Sequence, residues 1–327
     1  MIPFARYRCY CQAVEALGFP RYAGSTWRGA FGHALKRTVC ITSLRNCCEC
    51  LLWRSCAYSY LFETPPPKEA VMLRKYPAAP HPFLIHPEAT NAHRYEAGEV
   101  FSVDLTLIGR AVGQLPYVIY ALSRAGTYGI GRGRGRFALE QVSQHIPGEG
   151  FRLIYSAGGN VSALPAQAPI APKVPDGICT LVLTTPLRIQ HQERLMREAD
   201  FSFRGLMAAL FRRLSLLSYF HGNGPIIADF RSLLAQAEAV RPVSAELAWY
   251  DWERYSNRQK TYVRMGGLVG QVSFEGRQLA PFWPWLWAGQ AVHVGKGTVM
   301  GLGGYRIEAA SLPEAGFEDR NVKSNLL

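Results

Sequence analysis

An α+β chain of two tandem ferredoxin-like domains, each a βαββαβ unit of the RRM-like kind, is what the sequence predicts. Three observations lead there. The order of strand-like and helix-like segments in the first half recurs in the second. A glycine-rich loop carrying cations stands at the matching place in each half, at residues 129–136 and 295–304, and runs straight into a strand-like segment. A stretch rich in Pro and Gly, residues 157–177, separates the halves as a linker.

Strands are assigned where short apolar or alternating runs sit between turn residues, and helices where apolar residues recur three and four apart. The first half then reads strand Phe4 to Val14, helix Trp27 to Val39, a cysteine-rich insert over about residues 40–63, and strands Pro82 to His86 and Val100 to Ile108. Helix Tyr117 to Ala125, the first glycine loop and strand Phe137 to Val142 complete it. The second half reads strand Cys179 to Ile189, helix Phe203 to Phe220, a helical insert Ile227 to Val240, and strands Leu247 to Tyr255 and Tyr262 to Phe274. Helix Pro281 to Trp287, the second glycine loop and strand Tyr305 to Ala309 close the chain. The expected domains are 1–156 and 178–327.

With 327 residues, each half is long enough to bury its own core. No run approaches the roughly 18 apolar residues of a membrane span, and the N-terminus lacks the apolar core of a signal peptide, so a soluble cytoplasmic protein is expected. The net charge of +12 favours a polyanionic partner. Arginine outnumbers lysine 29 to 7, which suits bidentate phosphate contacts and equally suits a GC-rich genome.

The two loops, Gly129-Ile130-Gly131-Arg132-Gly133-Arg134-Gly135-Arg136 and Gly295-Lys296-Gly297-Thr298-Val299-Met300-Gly301-Leu302-Gly303-Gly304, place cations between residues without side chains. Bare backbone N–H groups there can approach a phosphate closely. Neither loop has the Gly-x-x-x-x-Gly-Lys-Ser/Thr pattern or the strand-to-helix setting of a dinucleotide site, which disfavours mononucleotides. A tight hairpin that needs positive φ explains either loop alone; their recurrence at matching places favours a shared role in gripping a polyanion.

Five of the eight cysteines crowd between Cys40 and Cys56. Cys47-x-x-Cys50 is the spacing at which two thiolates meet one tetrahedral zinc, and Cys40 and Cys56 are near enough to complete four ligands, with Cys48 as a substitute. Structural zinc, reduced thiols, an iron–sulfur cluster and a disulfide are all compatible with the spacing. Cys9, Cys11 and Cys179 read as small packing residues.

Trp27-Arg28-Gly29-Ala30-Phe31-Gly32-His33-Ala34-Leu35-Lys36-Arg37, followed by the cysteine cluster closing on Cys56-Ala57-Tyr58-Ser59-Tyr60-Leu61-Phe62-Glu63, resembles the start of the CRISPR-associated endoribonucleases that cut precursor crRNA at its repeats. Trp249-Tyr250-Asp251-Trp252-Glu253-Arg254-Tyr255-Ser256-Asn257-Arg258-Gln259, Gly266-Gly267-Leu268-Val269-Gly270 and His293-Val294-Gly295-Lys296-Gly297 are similar to that family too. The resemblance implies a RAMP architecture of two ferredoxin-like domains and metal-independent cleavage of CRISPR repeat RNA. The 2′-OH would attack the adjacent phosphate and leave 2′,3′-cyclic phosphate and 5′-OH ends. Its alternative is a catalytically silent crRNA-binding subunit of an effector complex, with other Cas proteins as partners.

That chemistry needs a proton donor or acceptor and cations on the developing charge. The resemblance places the active histidine at His33, with Lys36 beside it on the helix and Tyr22 before it; His221 is the alternative. RNA contacts are expected from Arg28, Arg37, Arg132, Arg134, Arg136, Arg254, Asn257, Arg258, His293, Lys296 and the glycines Gly295 and Gly297. No cofactor is expected for catalysis, and zinc on Cys40, Cys47, Cys50 and Cys56 would be structural.

Overall fold

Alternation builds the first strand: Ala5, Tyr7, Cys9, Cys11 and Ala13 all point into a core, while Arg6 and Arg8 point away from it. The computed structural model of the chain describes residues 1–67, 69–72, 79–87, 93–191, 194–256 and 261–309. Two units emerge: Ile2–Ala168 with Leu216–Pro225, and Met1 with Pro169–Ser215 and Ile226–Leu327.

The N-terminal unit runs β1 (Phe4–Ala13), α1 (Gly24–Val39), β2 (Phe83–Pro87), β3 (Val100–Ile108), α2 (Leu115–Tyr128), β4 (Phe137–Ile146) and β5 (Gly150–Ser156). Its antiparallel sheet has the order β2-β3-β1-β4-β5. The first four strands are therefore those of a βαββαβ unit, and β5 is an added edge strand absent from the sequence expectation. α1 and α2 pack together, and Trp27 anchors α1. The indole stacks on Phe19 at 5.6 Å and meets Phe137 edge-on at 5.4 Å. Burying a ring of that size contributes a few kcal/mol, so about 3–5 kcal/mol would go with Trp27→Ala.

On the other sheet face Arg8 lies directly across from Asp104. Arg8 donates from Nε and Nη2 to the buried carboxylate at 2.8 and 3.0 Å, and Arg6 Nε donates at 3.0 Å. The Arg8 guanidinium also covers the Phe151 ring at 4.4 Å, so β5 is held by a cation–π contact.

In the C-terminal unit β6 (Ile178–Leu187), α3 (Phe203–His221), α4 (Phe230–Ala237), β7 (Ser244–Tyr250), β8 (Gly267–Glu275), α5 (Trp283–Val292) and β9 (Tyr305–Glu308) form a sheet of order β7-β8-β6-β9. Both sheets thus share one topology, the strand preceding the second helix lying beside the first strand. Phe203 packs against Phe274 and Phe282 at 5.1 and 5.0 Å, tying α3 to the sheet and to α5. The residues Leu216–Pro225 at the end of α3 group with the N-terminal unit.

Several expectations change, among them the run Tyr262 to Phe274, which is two strands, Thr261–Arg264 and Gly267–Glu275. The run Leu247 to Tyr255 is not one strand: it leaves the sheet after Tyr250, and Glu253–Ser256 pairs with Thr261–Arg264 in a separate hairpin. Gly266 marks the return, since a Cβ there would collide with Asp251 and the Trp249 indole. Residues 157–177, the expected linker, are hydrogen-bonded along their length. Phe4 and Gln167 exchange backbone hydrogen bonds, Gln144 pairs with the Leu164 backbone, and Trp283 Nε1 donates to the Pro172 carbonyl at 2.8 Å. Finally, α5 continues past Trp287 to Val292. Among the described residues, no helix is long and apolar enough to cross a membrane.

Candidate active site

Helix α1 buries Trp27, Phe31, Ala34 and Leu35, which leaves His33 and Arg37, four apart, on its exposed side. Both meet Tyr128, the last residue of α2. The His33 imidazole lies edge-on to that ring at 6.4 Å, and the Arg37 guanidinium sits over it at 4.5 Å. A second guanidinium, Arg124, sits over the same ring at 5.0 Å and donates from Nη2 to the Tyr128 hydroxyl at 3.1 Å. One imidazole, one phenol and two guanidiniums are therefore gathered where α1 and α2 pack. Arg124 and Tyr128 were missed in the sequence, although their i,i+4 spacing just before the first glycine loop was the available signal.

The chain leaves Tyr128 directly into that loop. Gly129 and Gly131 have φ of +78° and +76°, and a Cβ on either would fall on a carbonyl oxygen, that of Arg134 or of Gly18. The tight-hairpin explanation thus accounts for the glycines. It does not account for the cations: Arg132 and Arg134 are exposed in the turn, four and six residues after Tyr128 in the chain. Arg136 is different, because Glu15 binds it at 2.6 Å. It is a pinned edge of the loop rather than a free cation.

Lys36 does not join His33. Its ammonium lies over the Tyr58 ring at 5.4 Å, reaches the Arg45 carbonyl at 3.5 Å and lines the cysteine cavity, so the expected His33–Lys36 pair is replaced by His33 with Arg37. Arg28 likewise turns to the insert, its guanidinium 5.4 Å from the Phe62 centroid. Tyr22 is half-buried in the turn before α1.

His221 is corrected by burial. It is 1% exposed, Nδ1 is 3.2 Å from the Tyr60 hydroxyl and Nε2 is 2.7 Å from the Pro80 carbonyl. Both ring nitrogens are engaged within a packed interior, out of reach of a phosphodiester. His293 is also buried: with φ of +57° it ends α5 and packs under the second loop, Nδ1 3.2 Å from the Leu302 carbonyl. Its role there is structural, holding the loop through that carbonyl.

In that second loop Gly295 and Gly297 adopt φ of +88° and +80°, and the Lys296 backbone N–H donates to the Arg188 carbonyl at 2.8 Å. Lys296 itself projects into solvent. Arg213 of α3 donates from Nε to the Val292 carbonyl at 2.6 Å, capping the helix from which the loop starts; burial pushes this guanidinium down to about 9. Arg254 is half-buried in the Glu253–Ser256 strand, and Asn257 and Arg258 lie outside the described residues. The Trp249 indole is covered by Arg197 at 3.7 Å and donates to Asp251 at 2.9 Å.

The insert brings Cys40, Cys47, Cys50 and Cys56 to the lining of one cavity of about 390 Å³. Cys48 is exposed. Burial raises the Cys47 thiol above its usual range against the opposing pull of Lys36, with Glu63, Cys56 and Cys40 adding to the rise. The Thr42 hydroxyl, 3.4 Å from Cys50 Sγ, and a Leu52 backbone bond hold the Cys50 thiol below that range. Among the described residues no three His, Cys, Asp or Glu side chains converge on a common point as a preformed metal cluster.

Comparison with known proteins gives a consistent picture. A family model described as the AF_1859 N-terminal domain matches residues 2–167, and one described as CRISPR-associated endoribonuclease Cas6 matches residues 181–305. Among solved structures, a Cas6 product complex is similar with a TM-score of 0.55 at 16% identity, covering 94% of this chain and 99% of that one. Thermus thermophilus Cas6 gives 0.53 at 14% identity, with 94% and 99% covered. A chain of a partial Cas6-RT-Cas1–Cas2 complex gives 0.57 at 12% identity; 96% of this chain aligns, spanning 47% of that one. No curated protein sequence matches. Similarity at these identities establishes the shared fold.

Proposed function

We propose, from the premise that this chain belongs to the CRISPR-associated Cas6 endoribonuclease family, that it binds CRISPR repeat RNA and cuts precursor crRNA at the His33 patch. The observation that carries the reading is the convergence of His33, Arg37, Arg124 and Tyr128, the last of which leads directly in the chain into the glycine loop with its exposed Arg132 and Arg134. Those groups match the demands of RNA cleavage by its own 2′-hydroxyl. The 2′-oxygen attacks phosphorus, the bond to the 5′-oxygen breaks, and the products carry a 2′,3′-cyclic phosphate and a 5′-OH.

His33 has the proton-transfer role, because imidazole exchanges protons near neutral pH and this ring stands on the solvent side of α1. Arg37 and Arg124 offer charge-assisted hydrogen bonds to the phosphorane oxygens. Tyr128 is a positioning residue that holds both guanidiniums. Arg132, Arg134 and, in the other unit, Lys296 contact the RNA backbone. The nucleophile belongs to the RNA and the cations to the protein, so the scheme uses no metal ion in catalysis.

The test is cleavage of a labelled repeat RNA in buffer containing EDTA, with end-group analysis of the products. Wild type should cut once per repeat and leave cyclic phosphate. His33→Ala should cut about 10²-fold more slowly or worse with RNA affinity nearly intact. Tight binding by wild type without cutting would replace this reading with a crRNA-holding subunit.

A further inference from the structure

We propose that Cys40, Cys47, Cys50 and Cys56 bind one zinc ion that is the staple of the insert. The inference stands apart from RNA cleavage and would survive its failure. No residue from Cys40 to Cys56 is buried, and Ile41 and Leu51 are 80% and 99% exposed, so this segment has no apolar core of its own. Its own backbone bonds are short-range turns, such as Cys50 N–H to Cys47 O at 3.0 Å and Cys56 N–H to Leu52 O at 2.9 Å. Ordering a chain costs conformational entropy that turns alone do not offset, and small segments in this position are held by a cross-link or a metal.

The cysteines are sorted in a way that selects the ligands. Four are half-buried and line the same cavity, while Cys48, inside the same short turn, is exposed and outside it. The turn Cys47–Glu49 folds the chain back so that Cys47 and Cys50 open toward one space, with Cys40 arriving from the end of α1 and Cys56 from the turn before residue 59. Four thiolates are a soft, tetrahedral set that suits zinc. Binding displaces the four thiol protons and leaves a site of net charge −2, and the Lys36 ammonium lines the same cavity as its counter-charge. The four cysteines line the cavity without forming a preformed ligand cluster, so binding requires the turns that carry them to close around the ion.

The experiment uses the full chain, purified without added metal. Metal analysis should find close to one zinc per chain, and stripping it should expose four further thiols to Ellman's reagent under native conditions. Cys48→Ser should keep the metal and Cys47→Ser should lose it. Should Cys47→Ser fail to fold, cobalt exchange into the wild type provides the second readout, through the intense absorption of a tetrahedral thiolate site. Metal-free protein with all these thiols freely reactive would overturn the proposal. So would thiols that react only after reduction, which means a disulfide, or iron in place of zinc.

Discussion

The Tyr128 ring carries two guanidiniums at once: Arg124 sits over it and donates to its hydroxyl at 3.1 Å, while Arg37 of the neighbouring helix sits over it at 4.5 Å. A flexible arginine loses side-chain entropy when a phosphate immobilises it. Here part of that ordering is already done by an aromatic face shared between α1 and α2. Tyr128 is therefore expected to act through Arg37 and Arg124.

Graded substitution separates its two functions. Tyr128→Phe keeps the face and removes the acceptor for Arg124, whereas Tyr128→Ala removes both. Each cation–π contact is worth about 0.5–1 kcal/mol at an exposed site, so Tyr128→Ala should lower the single-turnover cleavage rate about 10-fold, and Tyr128→Phe by less. Thermal stability should change little for Tyr128→Phe. Equal loss in both variants, with RNA binding lost in parallel, would make the residue an RNA-stacking platform instead.

The first glycine loop should contribute through charge. Arg132→Ala and Arg134→Ala each remove an exposed cation, so each should weaken repeat-RNA binding and reduce the slope of log affinity against log salt by about 1. Lys296→Ala should behave in the same way. Arg136→Ala should change the slope less, because Glu15 already neutralises that side chain. Affinities of the Arg134 variant that match wild type at several salt concentrations would reduce the loop to a hairpin.

Acid stability should report on Asp104. Burial alone would raise its carboxyl, but Arg6 and Arg8 outweigh burial and hold it below the ordinary carboxylate range. As pH falls, the unfolded chain binds this proton before the folded one does. The contribution of the pair is thus complete above the ordinary carboxylate range and is lost as pH falls through the folded value. Asp104→Asn strands two arginines on the sheet and should cost about 3–5 kcal/mol near neutral pH. Urea midpoints of wild type and variant should approach each other between neutral and strongly acid pH; parallel curves would show that other carboxylates dominate.

The fold was legible because both of its signals are local. Alternation exposes the face of β1, the apolar spacing of Trp27, Phe31 and Leu35 exposes α1, and the two glycine loops mark equivalent corners. What sequence could not give is which way a long side chain turns. His33, Lys36 and Arg37 share two turns of helix, yet Tyr58 and the cysteine cavity draw Lys36 to one side while Tyr128 draws Arg37 to the other. Arg124 and Tyr128 join His33 only through packing of α1 on α2, about ninety residues away in the chain. The histidines show the same limit: His221 and His293 sit near glycines like loop residues, and both are buried, His221 by contacts with Tyr60 and Pro80 far away in the chain.

His221 offers the sharpest contrast with His33. Its ring joins Tyr60 of the insert to the Pro80 carbonyl, and Arg110 donates to the neighbouring Phe220 carbonyl at 2.8 Å, so this end of α3 is part of the interior of the N-terminal unit. His221→Ala removes a buried partner from two polar groups, and each group left unsatisfied costs about 1–3 kcal/mol. The variant should melt several degrees lower and yet cut repeat RNA at the wild-type rate per folded molecule, measured well below its melting temperature. His33→Ala should show the reverse, a full-strength fold with little cutting. A His221→Ala protein that keeps its melting temperature and loses cleavage would move the chemistry to the end of α3 and leave the His33 patch as an RNA-binding surface.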